Sequence, residues 1–234
     1  MRLLIIRHAD PDYENNTITP EGHLEAKALA VRLAKEKIDR LYASTMGRAR
    51  DTMHYTEQAL KKKGQLEEWA CEIEDYRVEL EPWGKLAAWQ VPGEIVRAGL
   101  PVSAPEIWNT IPCLKDPLYK KRCDLVAQQA DDFLARHGYQ REGGRYACVK
   151  PHSEKIAIFC HNGLGLTWLA HLLNLPVPLV WTGFWLAPSS VTTVLFDERS
   201  KDWAVPRCIE VGDTSHLAVA GLPVRPRGIR ANFV

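Results

Sequence analysis

Two histidines in this chain each stand directly behind a short apolar run. They are His8 in Ile5-Ile6-Arg7-His8-Ala9-Asp10 and His161 in Ile158-Phe159-Cys160-His161-Asn162-Gly163. Arg7 adjoins the first. A third segment, Ser44-Thr45-Met46-Gly47-Arg48-Ala49-Arg50-Asp51-Thr52, brings two more arginines behind another apolar stretch. Guanidinium groups are planar, permanently charged forks that match the oxygens of a phosphoryl group. Imidazole is a nucleophile and proton carrier near neutral pH. Together these residue types suit the binding and transfer of phosphate. Taken singly, each histidine reads equally well as a strand cap, and Arg50 as a solvated helix start.

These residues act together only if the fold brings their segments together. Arg2-Leu3-Leu4-Ile5-Ile6 has the continuous apolar character of a strand buried on both faces. Thr19-Pro20 reads as N-cap and first residue of a helix whose apolar stripe is Leu24, Ala28, Val31 and Ala34, ending near Lys37. A strand is predicted over residues 40–44, a helix over 48–63 stopped by Gly64, and a strand over 65–74. Residues 155–160 read as a further strand, 163–173 as a helix, and 190–196 and 204–211 as the last strands. Between them, residues 75–151 carry Trp83, Trp89, Trp108, several prolines and one helix over 118–137. This stretch reads as an inserted cap over one end of the sheet and not as its continuation. The expected architecture is α/β: one domain over 1–234, with a mostly parallel central sheet, helices on both faces and an inserted cap region at about 75–151. Ligands bind at the carboxyl ends of strands in such sheets, where His8 and His161 would meet.

Arg7-His8, the helix-opening Thr19-Pro20-Glu21-Gly22, the pattern Ser44-x-x-x-Arg48-Ala49-x-x-Thr52 and the strand ending at His161-Asn162-Gly163 resemble the histidine phosphatase superfamily, with its phosphoglycerate-mutase-like fold. The resemblance covers about the first seventy residues and everything after Lys155. Ala9 and Asn162 depart from it, standing where glycine is common. It implies a phosphatase that hydrolyses a phosphomonoester through phosphohistidine. His8 is then the nucleophile, and Arg7, Arg48 and His161 hold the phosphoryl oxygens. The backbone of Gly163 at a helix N-terminus, with Asn162 and Asn15, would complete the phosphate site. Mutase transfer, or a module of this fold that binds phosphate without turnover, are the alternatives. No cofactor or metal is implied, since side chains supply the positive charge.

A proton donor for the leaving oxygen is also needed. The candidates are Glu72, Glu79 and Glu81. Glu72 lies 24 positions after Arg48, an interval that resembles the family's, and it closes the predicted strand over 65–74. Tyr13 and Thr17 share the loop of Asn15. The tryptophans of the insert read either as core or as the wall of a pocket for an apolar leaving group.

Other chemistries are set aside. Gly163-Leu164-Gly165 lacks the third glycine of a dinucleotide fingerprint, having Trp168 there. The Cys71 to Arg77 spacing of a cysteine phosphatase is filled with acids that repel phosphate. His8, Asp10 and Asp12 have no second cluster to complete a metal site. Thirty basic against twenty-nine acidic residues, net +1, give no electrostatic reason for nucleic acid or a membrane as partner. The partner expected is a small phosphorylated substrate, and no residue pattern marks an oligomer interface. The apolar stretch Leu3 to Ile6 is too short for a leader or a span. Six cysteines without a C-x-x-C pair suit reduced thiols in the cytoplasm.

Overall fold

The structure, a computed structural model, describes residues 1–75, 77–97 and 111–229. Trp108 lies outside them. In chain order the elements begin with β1 (Arg2–Arg7), the short pair β2 (Pro11–Asp12) and β3 (Thr17–Ile18), α1 (Pro20–Glu36), β4 (Arg40–Ser44), α2 (Gly47–Leu60) and β5 (Gln65–Glu67). The central part holds the hairpin β6 (Arg77–Leu80) and β7 (Gly84–Ala87), α3 (Gly93–Arg97), α4 (Pro117–Arg136), β8 (Tyr139–Glu142) and β9 (Arg145–Cys148). The chain then runs through β10 (Lys155–Cys160), α5 (Asn162–Leu173), α6 (Val177–Gly183), β11 (Val191–Asp197), β12 (Trp203–Asp213) and α7 (Ser215–Val219).

Eight strands form the main sheet in the order β5-β4-β10-β1-β11-β12-β9-β8. The half that carries the chemistry is parallel: β1 pairs with β10, β10 with β4 and β4 with β5. The register sets Arg7 opposite Cys160 and Phe159 opposite Ala43. The ladder runs one step further, His8 N–H donating to the Cys160 carbonyl at 2.9 Å. Three chain segments therefore leave the sheet side by side at its carboxyl edge, carrying His8, His161 and the Ser44–Arg48 turn.

Alternate residues of the central strands fill two layers. Leu3, Ile5, Tyr42, Ile156 and Ile158 pack with Trp69, Phe133 and Trp168. Leu4, Ile6, Leu41, Ala157 and Phe159 pack with Leu29, Leu33 and Met53 on the opposite face. Each buried side chain of this size contributes about 1.5–3 kcal/mol. Helix α5 is apolar nearly all round because both sides are covered. Leu164, Trp168 and Leu172 meet the sheet, while Leu166 and Ala170 meet a second core of Val78, Val91, Val96, Leu114, Trp181 and Leu186.

Three elements differ from expectation. Helix α1 docks through Ala26, Leu29, Ala30 and Leu33, whereas Leu24 and Val31 of the predicted stripe are exposed. The inward stripe carries two leucines of its own and packs largely against α2, so apolar periodicity fits either stripe and packing chose between them. The strand predicted over 65–74 stops at Glu67, and a 3-10 turn over Glu68–Ala70 carries the chain up to the site. Residues 139–148, inside the predicted insert, do continue the sheet. Strand β9 pairs with the start of β12 and β8 pairs with β9, because Tyr139 and Tyr146 complete the core around Phe196.

Candidate active site

At the carboxyl edge of β1, β4 and β10 lies a cavity of about 510 Å³, lined by Arg7, His8, Asn16, Arg48, Glu72 and Asn162 among others. His8 is buried there. Its Nδ1 lies 2.7 Å from the carbonyl oxygen of Ala9, which can only accept. Nδ1 therefore carries the proton, and Nε2 keeps a free lone pair. Burial, and then the charge of Arg7, hold His8 well below the usual histidine range, so the ring is neutral.

His161 follows β10 and N-caps α5. Its ring centroid lies 5.1 Å from that of His8. It is fully buried and likewise held neutral by burial and then by its cationic neighbours. Its Nε2 is 2.9 Å from Ser44 Oγ, and its Nδ1 is buried without a partner.

Both arginines are buried and partly committed. Arg7 Nη1 donates to the carbonyls of Leu186 at 2.6 Å and Arg227 at 3.1 Å, and its Nε has no partner. Burial lowers its pKa from the ordinary arginine value. Arg48 sits in the first turn of α2. It donates from Nη1 to Asn16 Oδ1 at 3.2 Å and from Nη2 to Glu74 at 2.8 Å, and its Nε is also unpartnered. Leaving such a donor unsatisfied costs about 1–3 kcal/mol, a cost that an incoming anion removes. Gly47 allows this turn to form, since a Cβ there would lie 2.0 Å from the Asn16 carbonyl oxygen.

Glu72 reaches the cavity from the loop after the 3-10 turn. Its carboxylate accepts from the N–H groups of Leu164 at 2.8 Å, Gly163 at 3.1 Å and Ile73 at 3.2 Å. Burial raises its pKa and outweighs these donors, which lower it. Glu79 and Glu81 are exposed on the β6–β7 hairpin and do not line the cavity.

The structure brings His8, His161, Arg7, Arg48, Glu72 and Asn162 together. Asn162 spends its Oδ1 on the Leu186 N–H. Two expectations are corrected. Gly163 does not offer its N–H to a phosphate, because Glu72 already occupies the N-terminus of α5. Asn15 is turned out to solvent, where it bonds to Asp12 in a local turn. Its neighbour Asn16, at φ 50°, faces the cavity instead. Tyr13 also lines the cavity, its ring 5.4 Å from the Arg48 guanidinium, whereas Thr17 bonds to Asp51.

Sequence reasoning missed several residues of the site. Arg227 and Gly228 come from the C-terminal segment. The Arg227 side chain pairs with buried Asp10 at 2.6 and 3.1 Å, while its carbonyl oxygen accepts from Arg7. Nothing local in the sequence announces this contact across 217 positions. Arg77 also lines the cavity, together with Trp89, one of the tryptophans that the sequence offered as core or pocket wall.

Metal-ligating side chains among the described residues gather elsewhere, at His137, His152 and Glu154, whose ligand atoms lie within 4.8 Å of one another. His152 spends Nε2 on the His137 carbonyl oxygen and Nδ1 on the Glu154 N–H, while Arg40 clamps the Glu154 carboxylate through two bonds. These commitments leave no ready ligand set.

Residues 3–80 match the family model of the histidine phosphatase superfamily (branch 1). No curated protein matches the sequence at the significance required. Among solved structures, a phosphoserine phosphatase from Entamoeba histolytica in complex with 3-phosphoglyceric acid is 18% identical, with a TM-score of 0.62, covering 92% of this chain and 98% of its own. A mycobacterial glucosyl-3-phosphoglycerate phosphatase in complex with VO3 is 18% identical, with a TM-score of 0.55 and coverage of 90% and 97%. The protein YhfR from Bacillus stearothermophilus is 20% identical, with a TM-score of 0.55 and coverage of 92% and 98%. At these identities the likeness concerns the fold, which extends over nearly the whole of each chain. No helix among the described residues is long and apolar enough to cross a membrane.

Proposed function

Because this chain carries the histidine phosphatase pattern in its first third, on the phosphoglycerate-mutase-like fold of the phosphatases it resembles, we propose that it hydrolyses a small phosphomonoester through a phosphohistidine on His8, without a metal. One observation carries this reading. The Ala9 carbonyl fixes the proton of His8 on Nδ1, leaving Nε2 free in a cavity shared with Arg7 and Arg48.

In the first step the Nε2 lone pair forms a bond to phosphorus as the ester P–O bond breaks. Charge spread over the equatorial oxygens meets the forks of Arg7 and Arg48. His161 adds a third donor from Nδ1 when the Ser44 hydroxyl donates to Nε2. Glu72, whose pKa burial raises, gives its proton to the leaving oxygen. In the second step water adds to phosphorus as the P–N bond breaks. Glu72 takes the proton back from that water, and inorganic phosphate departs.

We read the chain as one catalytic domain in which the early part of the stretch at about 75–151, from which Arg77, Ala87, Trp89 and Gln90 line the cavity, covers the site and selects the leaving group, while β8 and β9 extend the sheet. Its six cysteines are free thiols, which suits a reducing compartment, and we place the protein in the cytoplasm. The test is hydrolysis of an aryl phosphate with a chelator present. Wild type is expected to turn over and to yield an acid-labile, base-stable phosphoenzyme. His8→Ala is expected to lose both, with a fall of at least about a thousandfold. Equal rates for the two proteins, or strict dependence on added metal, would overturn the proposal.

A further inference from the structure

The catalytic cavity is not closed at its far end. Beyond Gln90 and Gly228 a second chamber of about 420 Å³ opens, walled by Trp83, Leu86, Pro92 and Gly93 with Glu94 at its edge. Gln90 and Gly228 line both spaces, so the two adjoin there. Their chemistry differs sharply. The first chamber is set with Arg7, Arg48, Arg77, Glu72 and Glu74, whereas indole, leucine and proline surfaces dominate the second.

The residues around their junction are held firmly. Trp89 packs so closely over Gly163 that a Cβ there would lie 2.6 Å from the indole. Gln90 Oε1 accepts from the Ala87 N–H at 3.3 Å. On the other side, Leu86 is buried in strand β7, and Gly84 at φ +70° makes the turn that presents Trp83. Trp83 itself is 38% exposed, an indole left uncovered beside the entrance to a phosphate site. Apolar surface left open next to a polar, charged cavity is the pattern of a ligand site that fixes one end by charge and the other by burial.

We propose that the preferred substrates are amphiphilic phosphomonoesters, with the phosphate held at His8 and an alkyl or aryl portion of the leaving group buried in the Trp83–Leu86–Pro92 chamber. This rests on the hydrolase reading above and assigns its substrate class. The occupant follows from adjacency: the apolar chamber adjoins the cavity of His8 and Glu72 at Gln90 and Gly228, so with the phosphate at His8 the leaving group is the part of the substrate that can reach it. The first chamber is wide enough to hold a short polar leaving group by itself, so only larger ones gain from the second.

The experiment measures kcat/KM of the wild-type protein on straight-chain alkyl phosphates from ethyl to octyl, kept below their micellar concentrations. Full burial of one methylene is worth about 0.8 kcal/mol, or about fourfold per carbon. Ethyl phosphate is expected to react slowly. Once the chain passes Gln90 the value should climb by about two- to fourfold per carbon, then level off when the chamber is full. Trp83→Ala should cut the value for octyl phosphate by about tenfold and leave ethyl phosphate within twofold. A flat series with ongoing hydrolysis overturns this inference and leaves the phosphatase reading standing. A rising series that Trp83→Ala does not change also overturns it. Failure of every ester, with an aryl phosphate equally inert, instead removes the hydrolase reading on which it rests.

Discussion

Ser44 is placed to decide which nitrogen of His161 carries a proton. Its Oγ accepts from the Met46 N–H at 3.1 Å and has a single proton to give, either to His161 Nε2 at 2.9 Å or to Cys71 Sγ at 3.3 Å. Thr45 Oγ1 lies 3.1 Å from the same sulfur and can serve it, which frees Ser44 for the imidazole. The Nδ1 proton of His161 then becomes available to a phosphoryl oxygen. Ser44→Ala is expected to lower kcat/KM on an aryl phosphate by about tenfold, the scale of one lost hydrogen bond to a charged group. The imidazole 15N shifts of His161 should report a changed tautomer, which simple loosening of the turn would not produce. Unchanged shifts with unchanged rate would refute the assignment. Glu74 bears on the same oxygens, since its carboxylate holds Arg48 at 2.8 Å while 44% of its own side chain is exposed. Glu74→Gln removes a negative charge beside the incoming phosphate and should lower the inhibition constant for inorganic phosphate by about three- to tenfold. A rise in that constant would mean that Glu74 serves to orient Arg48. At this scale the sequence already marked His8, Arg7, Arg48 and Glu72. It missed Asn16 by one position, because the choice between two adjacent asparagines depends on which one Asp12 captures in the turn.

Helix α5 links the histidine pair to the insert, and its first turn is where the two meet. Gly163 sits between Trp89 and Glu72, which would lie 2.6 and 2.8 Å from a Cβ at that position. Alanine favours a helix by about 1 kcal/mol over glycine, so local propensity alone predicts a more stable Gly163→Ala. Packing predicts the reverse for function. The added methyl must displace the indole or the Glu72 carboxylate, and kcat/KM should fall by about tenfold or more while the far-UV spectrum stays unchanged. Retained activity would show that Glu72 is not held as described. The α1 misreading has the same origin. Its inward face is Ala26, Leu29, Ala30 and Leu33, while Leu24 and Val31 point outward. Periodicity located the helix but could not choose between two stripes that both carry apolar residues. Likewise the turn after β5 was invisible, since an acidic stretch with one tryptophan fits a strand as well as a 3-10 turn. The indole N–H of Trp69 settles it by donating to Glu67, which also pairs with Arg136 from α4.

Across the whole molecule, buried ionisable groups outside the cavity set opposing pH dependences. His216 is buried against Ser189, and burial pushes its pKa down to about 4. Its unfolded form takes up a proton near pH 6.5, so its contribution is present above that value and is lost as pH falls from 6.5 to 4. Glu25 behaves oppositely. Burial raises it to about 7, so its contribution is full below the unfolded carboxylate value near 4.5 and is lost as pH rises from 4.5 to 7. Each window spans up to about 3 kcal/mol. Glu25→Gln should flatten the decline in Tm between pH 5 and 7, and His216→Gln the decline below pH 6; parallel curves for wild type and variants would contradict both. The α/β order, the strands that end in His8 and His161, and the arginine types that suit a phosphate are legible in the residues alone, because they follow from local periodicity and side-chain chemistry. Tertiary structure alone decided which nitrogen of His8 is free, that the N-terminus of α5 serves Glu72, and that the Arg227 carbonyl reaches Arg7. Hydrogen bonds between segments as much as 220 residues apart leave no trace in the local pattern of either segment.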